Sequence, residues 1–267
     1  MFMPRILLGA AITAVLSMAL TAQQAPTGYH HVQCVKVNPG QGVAFEQYVS
    51  GPLQKLDQAL IDSGAYAQTL VLRTRMPRGT EAECDYVFVS FYKGMPTTGL
   101  NSEELSKALH DADIPMTADA VHAKQNEMGK LVNENITQYQ SLVGRAKKGD
   151  YLVFNSMSAP DTRACVDAQK KTWQPVAEEM VKAGNLDAWA VNVQVFPRGA
   201  KDQNAVSSVD IYPSWDAFTN ENRSVESAWK KVHSDMDINN TMNQFGKMCT
   251  IEHTVLYEVV GVTSPAK

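Results

Sequence analysis

The chain has 267 residues, 44% of them hydrophobic and 19% charged, and 24 basic against 28 acidic side chains give a formal net charge of -4. That apolar fraction suffices for a globular core and excludes a collagen-like, rod-like or fully disordered chain. The longest basic run, Arg145-Ala146-Lys147-Lys148, offers too few clustered cations for phosphate recognition, so no nucleic-acid partner is expected.

In chain order, Arg5 precedes the apolar stretch Ile6 to Leu20, which gives way to small and polar residues from Thr21 to Pro26. Charge, apolar run and small residues in that order predict a secretory signal over residues 1–22, cleaved after Ala22. The run is shorter than the roughly 20 apolar residues a membrane crossing needs, so no stable span is expected after cleavage and the mature protein is expected to be secreted or periplasmic. Four cysteines follow, at 34, 84, 165 and 249. An even number in an oxidising compartment predicts two disulfides, and the lack of any C-x-x-C spacing argues against a metal site.

The segment from Gly64 to Gly79 is echoed from Gly184 to Gly199, with Pro-Arg-Gly closing both, and Val89 and Tyr92 match Val209 and Tyr212 at the same spacing of 120 residues. Upstream, Val32 and Pro39 match Val153 and Pro160 at a spacing of 121. Each copy begins with a strand, His30 to Val37 or Tyr151 to Met157, ending at a proline turn. A helix follows: Phe45, Tyr48, Leu53, Leu56 and Leu60 recur at helical spacing up to Gly64, and Val166, Trp173, Val176 and Met180 do so up to Gly184. Pro52 and Pro175 fall inside these helices and are expected to bend or interrupt them. Two strands joined around Pro-Arg-Gly come next, Gln68 to Met76 with Asp85 to Tyr92, and Ala188 to Phe196 with Val206 to Tyr212. A second helical region, Ala118 to Asn133 or Ser224 to Phe245, leads to a last strand at Ile136 to Val143 or Thr250 to Val260.

The order βαββαβ, twice, is that of an α+β chain with two ferredoxin-like repeats, at 29–145 and 149–262, followed by a tail at 263–267. Each four-stranded sheet would carry helices on one face only, and the two bare faces can bury each other as an intrachain pseudo-dimeric barrel. The chain resembles a tandem version of the dimeric α/β-barrel superfamily. Trp173-Gln174-Pro175, Val181-Lys182-Ala183-Gly184, Trp189, Phe196-Pro197-Arg198-Gly199 and Asp85-Tyr86-Val87-Phe88-Val89 are similar to segments of exported bacterial proteins of that superfamily. More distantly, the chain resembles NIPSNAP-like and antibiotic-biosynthesis-monooxygenase-like proteins. The resemblance implies a fold; superfamily members include cofactor-less monooxygenases, haem-handling enzymes and stress-response proteins, so it does not imply one activity.

Strand alternation proposes which side chains face the barrel. The expected inward set is His30, Val32, Cys34 and Lys36 with Tyr151, Val153, Asn155 and Met157 on the first strands, and Phe88, Ser90 and Tyr92 with Ser208, Asp210 and Tyr212 on the third. Asn192 and Gln194 join them from the second copy. On this reading the second copy's wall is the more polar, so Asn155, Asn192, Ser208, Asp210, Tyr212 and His253 are the ligand-binding candidates, against Val32, Leu70 and Phe88 on the first copy's wall. An oxygenase-like site would combine Asn155, orienting an enolate-like substrate, with Trp189 and with His253 as proton carrier. If Trp189 faces the helices with Val191 and Val193, it is core packing instead. His30 and His31 point to opposite faces and cannot readily share one ion, and no cofactor or metal is expected.

The final strand runs antiparallel to the first, so Cys249 at its start is expected near Cys165 at the start of the following helix. Cys34 and Cys84, assigned to neighbouring parallel strands, form the second expected pair. The leading functional expectation is a secreted barrel binding a small molecule, with a monomeric pseudo-dimer plausible on symmetry grounds. The alternatives are a cofactor-independent monooxygenase-like or isomerase-like enzyme, and a structural or stress-related envelope protein with a filled barrel.

Overall fold

The computed structural model describes residues 28–96, 100–198 and 206–265, and the expected leader with its cleavage point after Ala22 lies outside them. Eight strands form: β1 (Tyr29–Val37), β2 (Gln68–Met76), β3 (Tyr86–Tyr92), β4 (Gly129–Gly144), β5 (Tyr151–Ser158), β6 (Ala188–Phe196), β7 (Val206–Tyr212) and β8 (Thr250–Thr263). They close into one barrel in the order β1-β3-β2-β8-β5-β7-β6-β4. Every pairing is antiparallel. Each copy contributes a ferredoxin-like sheet, β4-β1-β3-β2 or β8-β5-β7-β6. Two seams, β2 with β8 and β4 with β6, join the sheets edge to edge and leave no strand edge exposed.

The first copy's helices are α1 (Gly42–Tyr48), α2 (Gln54–Asp62), α3 (Ser102–Asp111) and α4 (Ala118–Met128). The second copy's are α5 (Thr162–Ala168), α6 (Gln174–Lys182), α7 (Trp215–Thr219), α8 (Glu221–Val232) and α9 (Ile238–Met248). A π-helical turn, Val49–Leu53, joins α1 to α2 around Pro52, and its counterpart Gln169–Trp173 joins α5 to α6 just before Pro175. Proline lacks an amide hydrogen and crowds the preceding turn, so a locally widened helix accommodates it. Side-chain caps fix other helix starts: the Asn101 carboxamide accepts from the Glu103 and Glu104 amides at α3, and Asp161 accepts from those of Arg163 and Ala164 at α5. The expected helix over Ala118 to Asn133 ends instead at Met128, α3 has no counterpart among the expected elements, and β4 starts seven residues earlier than Ile136.

The helices pack on the outside of the barrel. In the second copy Met157, Trp189, Val191 and Tyr212 leave the sheet to meet Cys165, Val176, Met180 and Trp229. In the first copy Val71, Tyr86 and Phe88 meet Phe45, Tyr48 and Met128. A separate cluster, which includes Leu70, Leu72, Val87, Leu152, Val255 and Val259, fills part of the barrel interior. Both expected disulfides are present: Cys34 with Cys84 and Cys165 with Cys249, each with Cα atoms 5.3 Å apart. The strands flanking the first bridge run antiparallel rather than parallel, and Cys84 sits in the turn just before β3.

Candidate functional site

The barrel encloses a cavity of about 640 Å³. Residues directly opposite on paired strands point to the same face. Along β1 the inward residues are His30, Val32 and Cys34, opposite Thr137, Asn135 and Asn133 of β4 and Phe91, Val89 and Val87 of β3. The second copy contributes Leu152, Phe154 and Ser156 from β5, opposite Ile211, Val209 and Ser207 of β7. Asn192 and Gln194 come from β6 and His253 and Tyr257 from β8.

The registers identify pseudo-twofold partners: Val32 pairs with Val89 and Asn135, whereas Phe154 pairs with Val209 and Val255. The polar residues His30, Asn135, Thr137 and Tyr139 thus correspond to the apolar or aromatic Leu152, Val255, Tyr257 and Val259. In the other direction, Asn192 and Ser207 correspond to Leu72 and Val87. Polar groups therefore gather around the β4–β6 seam, while the β2–β8 seam carries the packed apolar interior.

His30 is 4% exposed and packs against two aromatic rings, its centroid 3.8 Å from that of Tyr139 and 4.7 Å from that of Phe91. Its Nδ1 hydrogen-bonds with the Thr137 hydroxyl at 3.2 Å, and Nε2 has no partner among the described residues. Burial penalises the imidazolium and lowers the pKa to about 3, so the ring is neutral, with one nitrogen donating and the other accepting. Burial raises the Tyr139 phenol well above its ordinary value, so it too stays neutral. Asn192, 6% exposed, stands opposite Tyr139 across the β4–β6 ladder. The Oδ1 atoms of Asn192 and Asn135 likewise lack partners among the described residues. A buried polar group left unsatisfied costs about 1–3 kcal/mol. Three such groups on one wall form a strip whose hydrogen-bonding capacity a ligand can complete.

Of the expected ligand-binding residues, Asn192 and the exposed His253 line the cavity. Asn155, Ser208, Asp210 and Tyr212 do not; they face the helix layer. Strand one of the second copy is displaced by one residue from the expected correspondence, Phe154 rather than Val153 being the counterpart of Val32. A one-residue slip turns every side chain to the other face. Tyr151, Val153 and Met157 accordingly pack against the helices. On β3 and β7 the expectation is reversed for another reason: helices cover the outside of the barrel, so both faces are buried and apolar alternation does not tell them apart. Phe88 joins the helix-facing cluster, whereas Val87, Val89 and Phe91 point inward. Lys36 turns to the Asp85 carboxylate and the carbonyls of Gly79 and Ala82.

On that outer face Asp210, 5% exposed, accepts from Trp173 Nε1 at 3.1 Å and from Asn155 Nδ2 at 3.4 Å, while Asn155 Oδ1 accepts from the Thr254 hydroxyl at 2.9 Å. Burial raises the Asp210 pKa to about 7, a rise that the Trp173 hydrogen bond opposes and the Glu221 charge augments. The Asn155, Trp189 and His253 trio does not assemble: Trp189 is fully buried in the helix-facing core, Asn155 belongs to the Asp210 network, and His253 lies at the cavity rim.

Sequence reasoning missed the first copy's share of the polar strip. His30 is expected to face inward, but strand alternation assigns it no role beyond excluding a shared ion with His31. Asn133 and Asn135 lie outside the expected strand, because the expected helix runs past Met128. Gly129 is the available signal, since a glycine directly after the last helical residue, Met128, marks a helix end.

Among the described residues no group of three or more His, Cys, Asp or Glu side chains is arranged to hold a metal ion, and no helix is long and apolar enough to cross a membrane. No family model and no curated protein matches the chain. Solved structures do match its fold. A Fusobacterium nucleatum protein provisionally named a monooxygenase aligns with TM-score 0.54 at 7% identity, covering 90% of this chain and 95% of its own. A Lactobacillus acidophilus protein with the same provisional name aligns with TM-score 0.53 at 9% identity, covering 90% and 100%. An anthrone oxidase-like protein aligns with TM-score 0.49 at 12% identity, over 91% and 95%. The chain has the dimeric α/β-barrel fold, with both halves of the barrel in one polypeptide.

Proposed function

We propose that this protein acts outside the cytoplasm and binds one small molecule inside its barrel, at the β4–β6 seam. The reading rests on one observation: the unpartnered polar atoms of His30, Asn135 and Asn192 cluster on one side of a roomy, otherwise largely apolar cavity. Large apolar pockets with a few convergent polar groups are the usual form of small-molecule sites. The leader and the two disulfides support export, and the closed barrel supports a monomer, since neither copy leaves a sheet edge to pair.

Native mass spectrometry of protein recovered from the producing cell tests the reading. The polypeptide should begin near Gln23 and carry an additional mass that leaves on denaturation, with reduced occupancy in a His30→Phe, Asn192→Leu variant. A bare polypeptide at every stage of purification would count against the binding reading, and an intact Met1 would count against export.

A second reading, oxygenase-like or isomerase-like catalysis, is supported by His30, a buried titratable side chain on the cavity wall, and by the provisional names of the two matching structures. Oxygen uptake or product formation from the released ligand, abolished in His30→Phe, separates it from binding alone. The envelope-protein reading required a filled barrel, which the cavity argues against.

A further inference from the structure

The cavity wall is unusual in its charges as well as in its polarity. Among the described residues the charged side chains that line it are Glu81, Glu83 and Arg145, and all three are exposed. Glu81 and Glu83 lie in the β2–β3 connection and Arg145 directly follows β4, so each belongs to an end of the barrel. The polar strip between those ends contains only neutral groups: imidazole, carboxamides, hydroxyls and a phenol. His30 offers no counter-cation, because the ring is almost wholly buried and burial disfavours its charged form. A ligand ion entering this space would lose its hydration and meet no opposite charge, whereas a neutral polar group would lose less and be met by hydrogen bonds.

The strip also fixes where the ligand's polar end must go. Thr137 occupies His30 Nδ1, which leaves Nε2 as the ring's remaining hydrogen-bonding position. His30 and Asn192 flank Tyr139 from opposite sides, one by ring contact and the other across the β4–β6 ladder. The opposite side of the cavity offers Leu70, Leu72 and Leu152, a surface suited to hydrocarbon.

Building on the binding function proposed above, we infer that the cavity selects an uncharged, largely apolar ligand whose hydroxyl or carbonyl is held by His30 and Asn192, and that it rejects ionised molecules of the same shape. Both side chains act as specificity determinants because each can donate or accept a neutral hydrogen bond and neither can neutralise an ion.

Four probes sharing one naphthalene ring system test this by calorimetric or fluorescence titration of the full mature chain at pH 7: naphthalene, 2-naphthol, 2-naphthoate and 2-naphthylmethylammonium. The expected order places 2-naphthol first, roughly fivefold tighter than naphthalene for one net hydrogen bond. Both ions should bind at least about tenfold more weakly than 2-naphthol, as expected for uncompensated desolvation. In His30→Phe and Asn192→Leu the 2-naphthol affinity should fall to that of naphthalene. Unchanged naphthalene affinity in the same variants shows that the cavity is intact. Either ion binding as tightly as 2-naphthol, or both variants retaining the 2-naphthol preference, would overturn the inference while leaving the binding site in place. Failure of every probe, naphthalene included, would remove the binding reading itself.

Discussion

Replacing Asp210 with Asn should change how stability depends on pH while leaving ligand affinity alone. In the folded protein this carboxyl is buried between sheet and helices, and its pKa rises from 3.8 to about 7. Between those values the folded state binds a proton that the unfolded state has released. Its stabilising contribution is therefore fully present below pH 3.8, declines as pH rises, and is lost once pH has passed through about 7. At about 1.4 kcal/mol per pH unit, the two units between pH 5 and the folded pKa correspond to a loss on the order of 3 kcal/mol between pH 5 and pH 8. Asp210→Asn removes that titration and keeps an oxygen to accept from Trp173, so urea unfolding with disulfides intact should show the variant gaining on the native protein by that amount over the same interval. Asp57 and Asp150, both raised to about 6, destabilise with rising pH in the same sense but occur in both proteins and cancel in the comparison. Parallel stability curves from pH 5 to pH 8 would refute the reasoning. A changed 2-naphthol affinity would show that Asp210 reaches the cavity after all.

Asn192→Leu removes an unsatisfied buried carbonyl oxygen while keeping the branched side-chain shape and should raise stability by about 1 kcal/mol, read as a higher urea midpoint. Changing Cys165 and Cys249 together to Ser opens a bridge between residues 84 apart in sequence and should cost about 4.5 kcal/mol on the chain-entropy model. The Cys34 and Cys84 pair spans 50 residues and should cost slightly less, with thermal unfolding ranking the two. Gly144→Ala should lower stability by at least about 1 kcal/mol, because Gly144 has φ +73° and an added Cβ would overlap the Asp187 carbonyl. An unchanged melting temperature would contradict that account.

The architecture was legible because duplication printed the same punctuation twice: the glycines at 64 and 184 each sit at a helix end with positive φ, as the repeat implied. The disulfide pairs were legible because they follow from strand order, which tolerates small errors of register. Side-chain direction does not tolerate them. Placing Asn155 inward required knowing β5 to the residue, and the β1 and β5 turns differ by one position between copies. Placing Asp210 required distinguishing two buried faces, and Val209 and Tyr212 are both apolar enough for either. The seam itself could not be read locally, since Asn192 meets Tyr139 only when strands from different copies pair.

The two seams that close the barrel differ in how far apart along the chain their strands lie. β4 and β6 are separated by one strand–helix unit, whereas β2 must wait for β8, pairing Thr69 with Thr263. Closing a longer loop costs more conformational entropy, so the β4–β6 seam is favoured to assemble early in folding and the β2–β8 seam last. Neither disulfide ties one copy to the other: Cys34 to Cys84 lies within the first and Cys165 to Cys249 within the second. The last seam is held by backbone hydrogen bonds, apolar contacts and the ion pairs of Glu258 with Arg73 and Arg75, with no covalent bridge, so a partial opening of the native barrel can part its hydrocarbon side while His30, Tyr139 and Asn192 keep their arrangement.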